Sequence, residues 1–172
     1  MDKHKGPPEA SPLTNTDLAY LAGIIDGEGS IGIYARAKGS SNYFLKLMIA
    51  NTSEPLIKWI RTRFGGATVF TRYDNPAHRP TWNITIYQQH VADVLRACRP
   101  YMVAKADQAD LAIDFAENFR TSRGRWVVPV EEVERRKSYS ERMMALNRPH
   151  LYRRVVAAAT TKRRGTPKRV KR

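Results

Sequence analysis

The chain has 172 residues, 42% of them hydrophobic, which is enough for one domain with a packed core. Its formal net charge of +14 favours a polyanionic partner, nucleic acid first and an acidic membrane surface second. A lone cysteine, Cys98, excludes an internal disulfide and a multi-cysteine zinc finger. The sequence has no apolar run of bilayer length and no signal peptide, which predicts a soluble, intracellular protein of the cytoplasm, a nucleoid or an organelle matrix.

The first predicted helix follows a flexible, Pro- and Gly-bearing segment, residues 1–13. The polar stretch Asn15–Asp17 offers N-caps, and apolar residues then recur at helical spacing from Leu18 to Ile25. A second stripe, Ala19, Gly23 and Gly27, carries small residues four apart. Such a stripe permits close approach of another backbone, either a partner helix or the sheet of the same domain.

After this helix the hydrophobic period changes from that of a helix to two. The predicted order is α-β-β-α-β-β-α-α, which defines an α+β domain with a four-stranded antiparallel sheet and helices on one face. Beyond the first helix and the strand that follows it, the expected strands are Phe44–Ile49, Thr68–Tyr73 and Thr81–Tyr87, and the expected helices are Leu56–Phe64, about His90–Cys98 and about Lys105–Phe119.

The helix-free face of this sheet is expected to be basic and hydrogen-bonding. Plain solvation is one interpretation of such a face, but the charge of the chain favours a surface that reads DNA base edges in the major groove. With Lys38 in the turn after the first strand, the candidate DNA-binding residues are Tyr34, Arg36, Lys38, Lys46, Arg72, Asn83 and Thr85.

The C-terminal part has a different composition from the core domain, which we place at residues 14–120. Residues 121–172 are interpreted as a linker, a charged helix at Val130–Leu146 and a basic tail ending in TKRRGTPKRVKR. Such a tail is expected to bind phosphates without sequence preference, although it could also serve only solubility.

Two carboxylates, Asp26 and Glu28, stand near the end of the first helix among glycines. A helix C-terminus carries partial negative charge, so acids there are unfavourable unless a positive group offsets them. The sequence therefore predicts a positive group at this helix end.

The stretch that holds these acids, LAGIIDGEG at Leu21–Gly29, resembles the signature of the LAGLIDADG homing endonucleases. It departs from the signature at Ile24 and Gly27 and exchanges one carboxylate for another at Glu28. The predicted element order over residues 14–120 is similar to the core of that family, whereas the C-terminal tail has no counterpart in the resemblance.

The resemblance implies a metal-dependent nuclease. The acid at Glu28 would bind Mg²⁺, or another divalent cation such as Mn²⁺, and the carbonyl of Gly27 would be a further ligand. A pair of such ions would offset the charge at the helix end, while Asp26 would order the helix end and the subunit interface.

Two further positions correspond to catalytic positions of the family. Asn51 would organise active-site water, or would simply cap the end of a strand. Lys105 would act near the scissile phosphate, or would be a surface lysine at a helix N-terminus.

A single copy of the motif implies a homodimer, with Ala19, Gly23, Asp26 and Gly27 at the interface. Two-fold symmetry then requires a palindromic or pseudo-palindromic double-stranded DNA site, and the resemblance implies a double-strand break that leaves short 3′ overhangs.

Three alternatives stay open at this point. The chain could be a maturase that assists an intron RNA, or a DNA-binding regulator that kept the fold without catalysis. A membrane-surface protein is disfavoured because no basic amphipathic helix with aromatic anchors is evident, so no membrane partner is expected.

Overall fold

The computed structural model describes residues 12–72, 79–118 and 128–148. The interpretations of residues 1–11, of the loop at 73–78, of the linker at 119–127 and of the tail at 149–172 lie outside these ranges. The elements are α1 (Asn15–Glu28), β1 (Gly29–Ala35), β2 (Tyr43–Asn51), α2 (Glu54–Phe64), β3 (Ala67–Thr71), β4 (Thr81–Tyr87), α3 (Gln89–Cys98), a 3-10 turn (Arg99–Tyr101), α4 (Ala106–Asn118) and α5 (Val130–Asn147).

The predicted α+β class and element order are confirmed. The four strands form one antiparallel sheet in the order β1-β2-β4-β3, so β1 and β3 are its edges. Strand β4 has the predicted bounds, and the other elements differ from the prediction by a few residues at their ends.

The N-cap of helix α1 lies one residue before the first of the predicted N-caps. The cap is Thr14, whose side chain accepts the N–H of Asp17, while the Asp17 carboxylate accepts the N–H of Thr14. This reciprocal capping box satisfies two of the N–H groups that a helix start leaves free. It explains why the polar stretch begins the helix rather than preceding it.

One face of the sheet packs on the helices and forms the core. Leu47 lies between Ile31 on β1 and Ile86 on β4, and all three are buried. Their alternate neighbours point away from the helices and form what we call the open face. Its members are Ser30, Gly32 and Tyr34 on β1, Phe44, Lys46, Met48 and Ala50 on β2, Ala67, Val69 and Thr71 on β3, and Thr81, Asn83, Thr85 and Tyr87 on β4.

Helix α5 covers the free edge of β1. Ser140 Oγ donates to the carbonyl of Ile33 and Asn147 Nδ2 donates to that of Ile31, each at 2.7 Å. The donors are two turns apart on one face of the helix, and they satisfy carbonyls that an edge strand would otherwise leave open to pairing. Met143 between them is buried in the core, so α5 is packed on the domain.

Candidate active site at the end of α1

Glu28 is the last residue of α1, and its side chain is exposed. Asn51, the last residue of β2, donates from Nδ2 to Glu28 Oε2 at 2.6 Å. The Asn51 Oδ1 accepts the N–H of Ser53, the N-cap of α2, at 2.7 Å. Because the oxygen is occupied by a backbone donor, the amide group must present its nitrogen to Glu28. Asn51 therefore joins the end of β2 to the start of α2 and also orients the Glu28 carboxylate.

Asp26 has a different environment, although it lies only two residues away. Its carboxylate accepts the backbone N–H groups of Val103, Ala104 and Lys105 at 2.7, 3.0 and 2.9 Å. Burial opposes the charged form, but these three hydrogen bonds and the nearby Lys105 ammonium outweigh it and hold the pKa of Asp26 below its usual value. These contacts join the end of α1 to residues 103–105 of the same chain, which is an arrangement that can order the helix end, the role predicted for Asp26.

Lys105 comes back to the same helix end with its side chain. Its Nζ donates to the carbonyls of Ile25 and Asp26 at 2.9 and 2.5 Å. Both carbonyls belong to the last turn of α1, and that of Ile25 also accepts the N–H of the C-cap residue Gly29. Lys105 is partly buried, and burial lowers its pKa while Asp26 partly offsets that shift. The residue precedes α4 and is a C-terminal cap of α1, so its interpretation as a surface lysine is corrected.

A positive group therefore does occupy the end of α1, as the paired acids require, and it is supplied by the chain. The Asp26 carboxylate of α1 accepts the backbone N–H of Lys105, and the Lys105 side chain donates in turn to a carbonyl of α1, so the two segments are joined by reciprocal hydrogen bonds. Gly27 lies in the same last turn, and α1 ends before any residue that could donate to its carbonyl. The arrangement leaves Glu28 as the acid that faces outward.

Six of the seven predicted DNA-binding residues divide into two groups. Strand register places Tyr34, Lys46, Asn83 and Thr85 together on the open face. Arg36 and Lys38 lie beyond the end of β1 and are exposed.

The prediction that Arg72 lies on the open face is corrected by the structure. Strand β3 ends at Thr71, and the open-face positions of β3 are Ala67, Val69 and Thr71. By alternation Arg72 follows Phe70, whose ring lies against Trp82 at 4.6 Å on the other side of the sheet. The strand therefore does not bring Arg72 onto the open face.

The open face also carries an aromatic cluster, which we define as Tyr34, Phe44 and Tyr87, and which the expectation of a basic surface missed. The centroid of the Phe44 ring lies 5.8 Å from that of Tyr34 and 6.2 Å from that of Tyr87. Lys46 Nζ lies 5.0 Å from the centroid of the Tyr34 ring. The outward alternation of Phe44 and Tyr87 was visible in the sequence and is the signal that could have found the cluster.

The stripe of small residues on α1 faces away from the sheet. Ala19, Gly23 and Gly27 are exposed, and a methyl group added at either glycine would meet no atom within 4 Å. The interpretation of this stripe as a tight contact with the sheet of the same domain is therefore excluded. The opposite side of α1, with Leu21 and Ile25 completely buried, makes that contact instead.

Neither a family model nor a curated protein matches this chain. Solved structures do match. The homing endonuclease I-CvuI in complex with its target aligns with a TM-score of 0.59 at 17% identity, over 76% of this chain and 82% of that one. The archaeal intron-encoded homing endonuclease I-Vdi141I complexed with DNA aligns with a TM-score of 0.60 at 13% identity, over 77% and 84%.

A third match is the LAGLIDADG homing endonuclease I-GzeII in complex with its DNA target. It has a TM-score of 0.53 at 15% identity over 80% of this chain, which spans only 47% of that protein. At these identities the likeness shows the fold. The chain has the LAGLIDADG homing endonuclease fold, as the resemblance of Leu21–Gly29 predicted. Among the described residues, no helix is both long and apolar enough to cross a membrane.

Proposed function

We propose that this chain is a site-specific endonuclease of double-stranded DNA that acts as a homodimer. The observation that carries the proposal is the exposed Glu28 carboxylate, held in position by Asn51 at the end of α1. It lies where β1 enters the sheet, so an acid stands at one end of the open face. The fold is shared with homing endonucleases bound to their DNA targets.

The proposed substrate follows from charge and from the chemistry of the open face. A net charge of +14 favours binding to the phosphate backbone, with an affinity that falls steeply as salt is raised. Lys46, Asn83 and Thr85 offer donors and acceptors on the open face, and such groups discriminate base edges in the major groove.

A divalent cation, Mg²⁺ or Mn²⁺, fits the chemistry of Glu28, since hard cations prefer carboxylate and carbonyl oxygens. Within residues 12–72, 79–118 and 128–148 no group of three or more His, Cys, Asp or Glu side chains could hold a metal ion. Glu28 and the Gly27 carbonyl would therefore contribute part of a site, and a second subunit would contribute the matching part. When bound, such an ion supplies charge stabilisation to the phosphate oxygens during hydrolysis.

The other residues of the site have supporting roles in this proposal. Asn51 fixes the direction of the Glu28 carboxylate and is a positioning residue. Lys105 uses two of its donors on the carbonyls of α1, and a third donor remains for water or phosphate. The product would be a double-strand break with short 3′ overhangs.

The cleavage test uses DNA that carries the sequences flanking the gene of this protein, with Mg²⁺. The parent is expected to cut it, whereas Glu28→Gln should bind it with unchanged affinity and cut at least ~10³-fold more slowly, since a group essential to the chemistry is removed. Glu134→Gln, at an exposed position of α5, is the matched control and should cut normally.

The outcomes separate the alternatives. Equal cutting by the parent and Glu28→Gln would remove Glu28 from the mechanism. Binding of this DNA without cutting by the parent would favour a regulator, and preferential binding of the intron transcript would favour a maturase.

The proposal of a homodimer is based on the exposed stripe of small residues on α1. Two copies packed through Ala19, Gly23 and Gly27 could approach closely, because these side chains keep the backbones unobstructed, and Asp26 at the edge of the seam would hold each helix end. A two-fold axis at this seam would bring both Glu28 side chains together over a pseudo-palindromic site.

Sedimentation measurements test this assembly. We expect a dimer for the parent and a monomer for Gly23→Leu, because a leucine fits within the chain but would obstruct a partner helix. Thr62→Leu, at an exposed position of α2, is the control and should remain dimeric. A monomeric parent, with and without DNA, would contradict the shared site.

A further inference from the structure

We infer that the aromatic cluster of Tyr34, Phe44 and Tyr87 binds the 5-methyl groups of thymines in the outer part of each DNA half-site. The inference rests on the proposed function, because it requires a duplex with its major groove on the open face. It adds a specific readout to that function and names the residues that perform it.

The position of the cluster determines which part of the DNA it could meet. Tyr34 lies near the end of β1 that is remote from Glu28, roughly 17–20 Å away at a strand rise of ~3.3 Å per residue. At ~3.4 Å per base pair, this places the cluster about five or six base pairs from the acid when the strand follows the groove. The cluster would therefore meet the outer part of a half-site.

The rings of the cluster hold one another in place on the open face. Phe44 is half-buried between Tyr34 and Tyr87, which are 40% and 50% exposed. A Cβ added to Gly32 would lie 2.3 Å from the outer ring atoms of Tyr34, so the Tyr34 ring lies over Gly32 along the strand. The absence of a side chain at Gly32 thus permits the orientation of Tyr34 on the sheet.

A thymine methyl fits this surface better than other features of the groove. It is the one apolar group that the major groove presents, and apolar side chains are its usual partners. Lys46, whose Nζ lies over the Tyr34 ring, is a cation beside the rings and complements the phosphate backbone. The rings and Lys46 therefore combine an apolar surface for the thymine methyl groups with a positive charge for the phosphates of the same DNA segment.

Stacking of unpaired bases is less favoured by the same geometry. The neighbouring rings are tilted by 39° and 48° and are separated by 5.8 and 6.2 Å, so no base can enter between them. Lys46 already lies over the ring of Tyr34. Binding of single-stranded RNA or DNA is an alternative that the experiment separates.

The experiment replaces thymine by deoxyuridine, which removes the methyl group and leaves base pairing unchanged. Duplexes that bind the full chain are first selected from a library with random half-sites, and we expect enrichment of thymine at outer positions. Single deoxyuridine substitutions there should weaken binding by the parent roughly four-fold each, the value of burying one methyl group. Binding is measured by fluorescence anisotropy in EDTA, and cleavage of the same duplexes is measured in Mg²⁺.

Three variants assign the effect to the cluster. Phe44→Ala and Tyr34→Ser should bind the thymine and deoxyuridine duplexes equally, and Gly32→Ala should do the same because it displaces the Tyr34 ring without removing it. Val69→Ala, an exposed apolar position of the open face outside the cluster, should keep the four-fold preference. Circular dichroism establishes that each variant is folded.

Three results would overturn the inference. The parent could bind both duplexes equally, or the methyl preference could survive in Phe44→Ala and Tyr34→Ser. These variants could also lose binding to oligouridine RNA while their duplex binding stays unchanged. A parent that cuts its duplex but ignores the methyl groups refutes only the cluster. A parent that neither binds nor cuts duplex DNA refutes the proposed function as well.

Discussion

The two acids at the end of α1 differ sharply although they share one helical turn. Asp26 is partly buried and accepts three backbone N–H groups, whereas Glu28 is exposed and accepts one side-chain amide. The first arrangement satisfies a carboxylate and joins two elements of the fold. The second leaves a carboxylate oriented toward solvent, where a cation or a substrate can reach it. The contrast separates a residue that holds the site together from one that is available for chemistry.

The largest expected effect on stability comes from Asp26→Ala. The variant removes three hydrogen bonds to a charged acceptor, and water can replace them only in part, so we expect the free energy of unfolding to fall by about 2–3 kcal/mol. Urea denaturation followed by circular dichroism measures the change. Glu28→Ala serves as the comparison and should lose less than about 0.5 kcal/mol. Equal losses in the two variants would show that the acids do not differ in this way.

Acid provides a second and smaller way to separate the two residues. The depressed pKa of Asp26 means that its charged form contributes stability above its unfolded pKa, and that this contribution is lost as the pH falls through the folded pKa. The free energy of unfolding of the parent should therefore decrease as the pH is lowered below about 4. Asp26→Asn should show a shallower decrease in urea denaturation measured from pH 5 to pH 2.

Asp17 provides a second carboxylate to compare in that measurement. Its hydrogen bonds with the Thr14 N–H and with Arg63 lower the pKa to about 2, so its contribution to stability is lost as the pH falls from about 4 to about 2. Asp17→Asn should therefore also show a shallower decrease, over the whole range from about pH 4 to pH 2. An Asp26→Asn variant with the acid dependence of the parent would assign the whole dependence to other carboxylates.

The same contrast explains what could be predicted from the sequence. Helix and strand periods gave the element order, and the glycine-rich motif located Glu28, because both are local patterns. Lys105 is 80 residues from Ile25, whose carbonyl it binds, and the packing of α1 against α3 and the 3-10 turn brings them together. The sequence therefore predicted the need for a positive group at this helix end without showing which residue would supply it.

The open face shows a similar limit. Alternation correctly assigned Asn83 and Thr85, because β4 was predicted with its true ends. Arg72 was misplaced because β3 ends earlier than expected and its register with β4 is set by pairing rather than by its own sequence. The aromatic cluster was overlooked because net charge describes the whole chain and says little about one patch.

The smallest expected effect, and the most specific, is a gain in stability on removal of the exposed acid. Glu28 places a negative charge at the negative end of α1, and the Lys105 ammonium and the hydrogen bond from Asn51 only partly compensate for it. Glu28→Gln keeps the shape and the acceptor for Asn51 but removes the charge, so unfolding should require about 0.3–1 kcal/mol more at low ionic strength.

The gain should shrink as salt screens the helix dipole, which distinguishes it from an effect of packing. Glu134→Gln, which lies in α5 away from a helix end, should change the free energy of unfolding by less than the error of the measurement. Paired urea titrations at low and high salt check both statements. A folded and more stable variant that no longer cuts DNA would mark Glu28 as a residue kept for function at a cost in stability, as expected for catalytic groups. A Glu28→Gln variant less stable than the parent would instead show that the Asn51 contact holds the fold together, and Glu28 would join Asp26 as a structural acid.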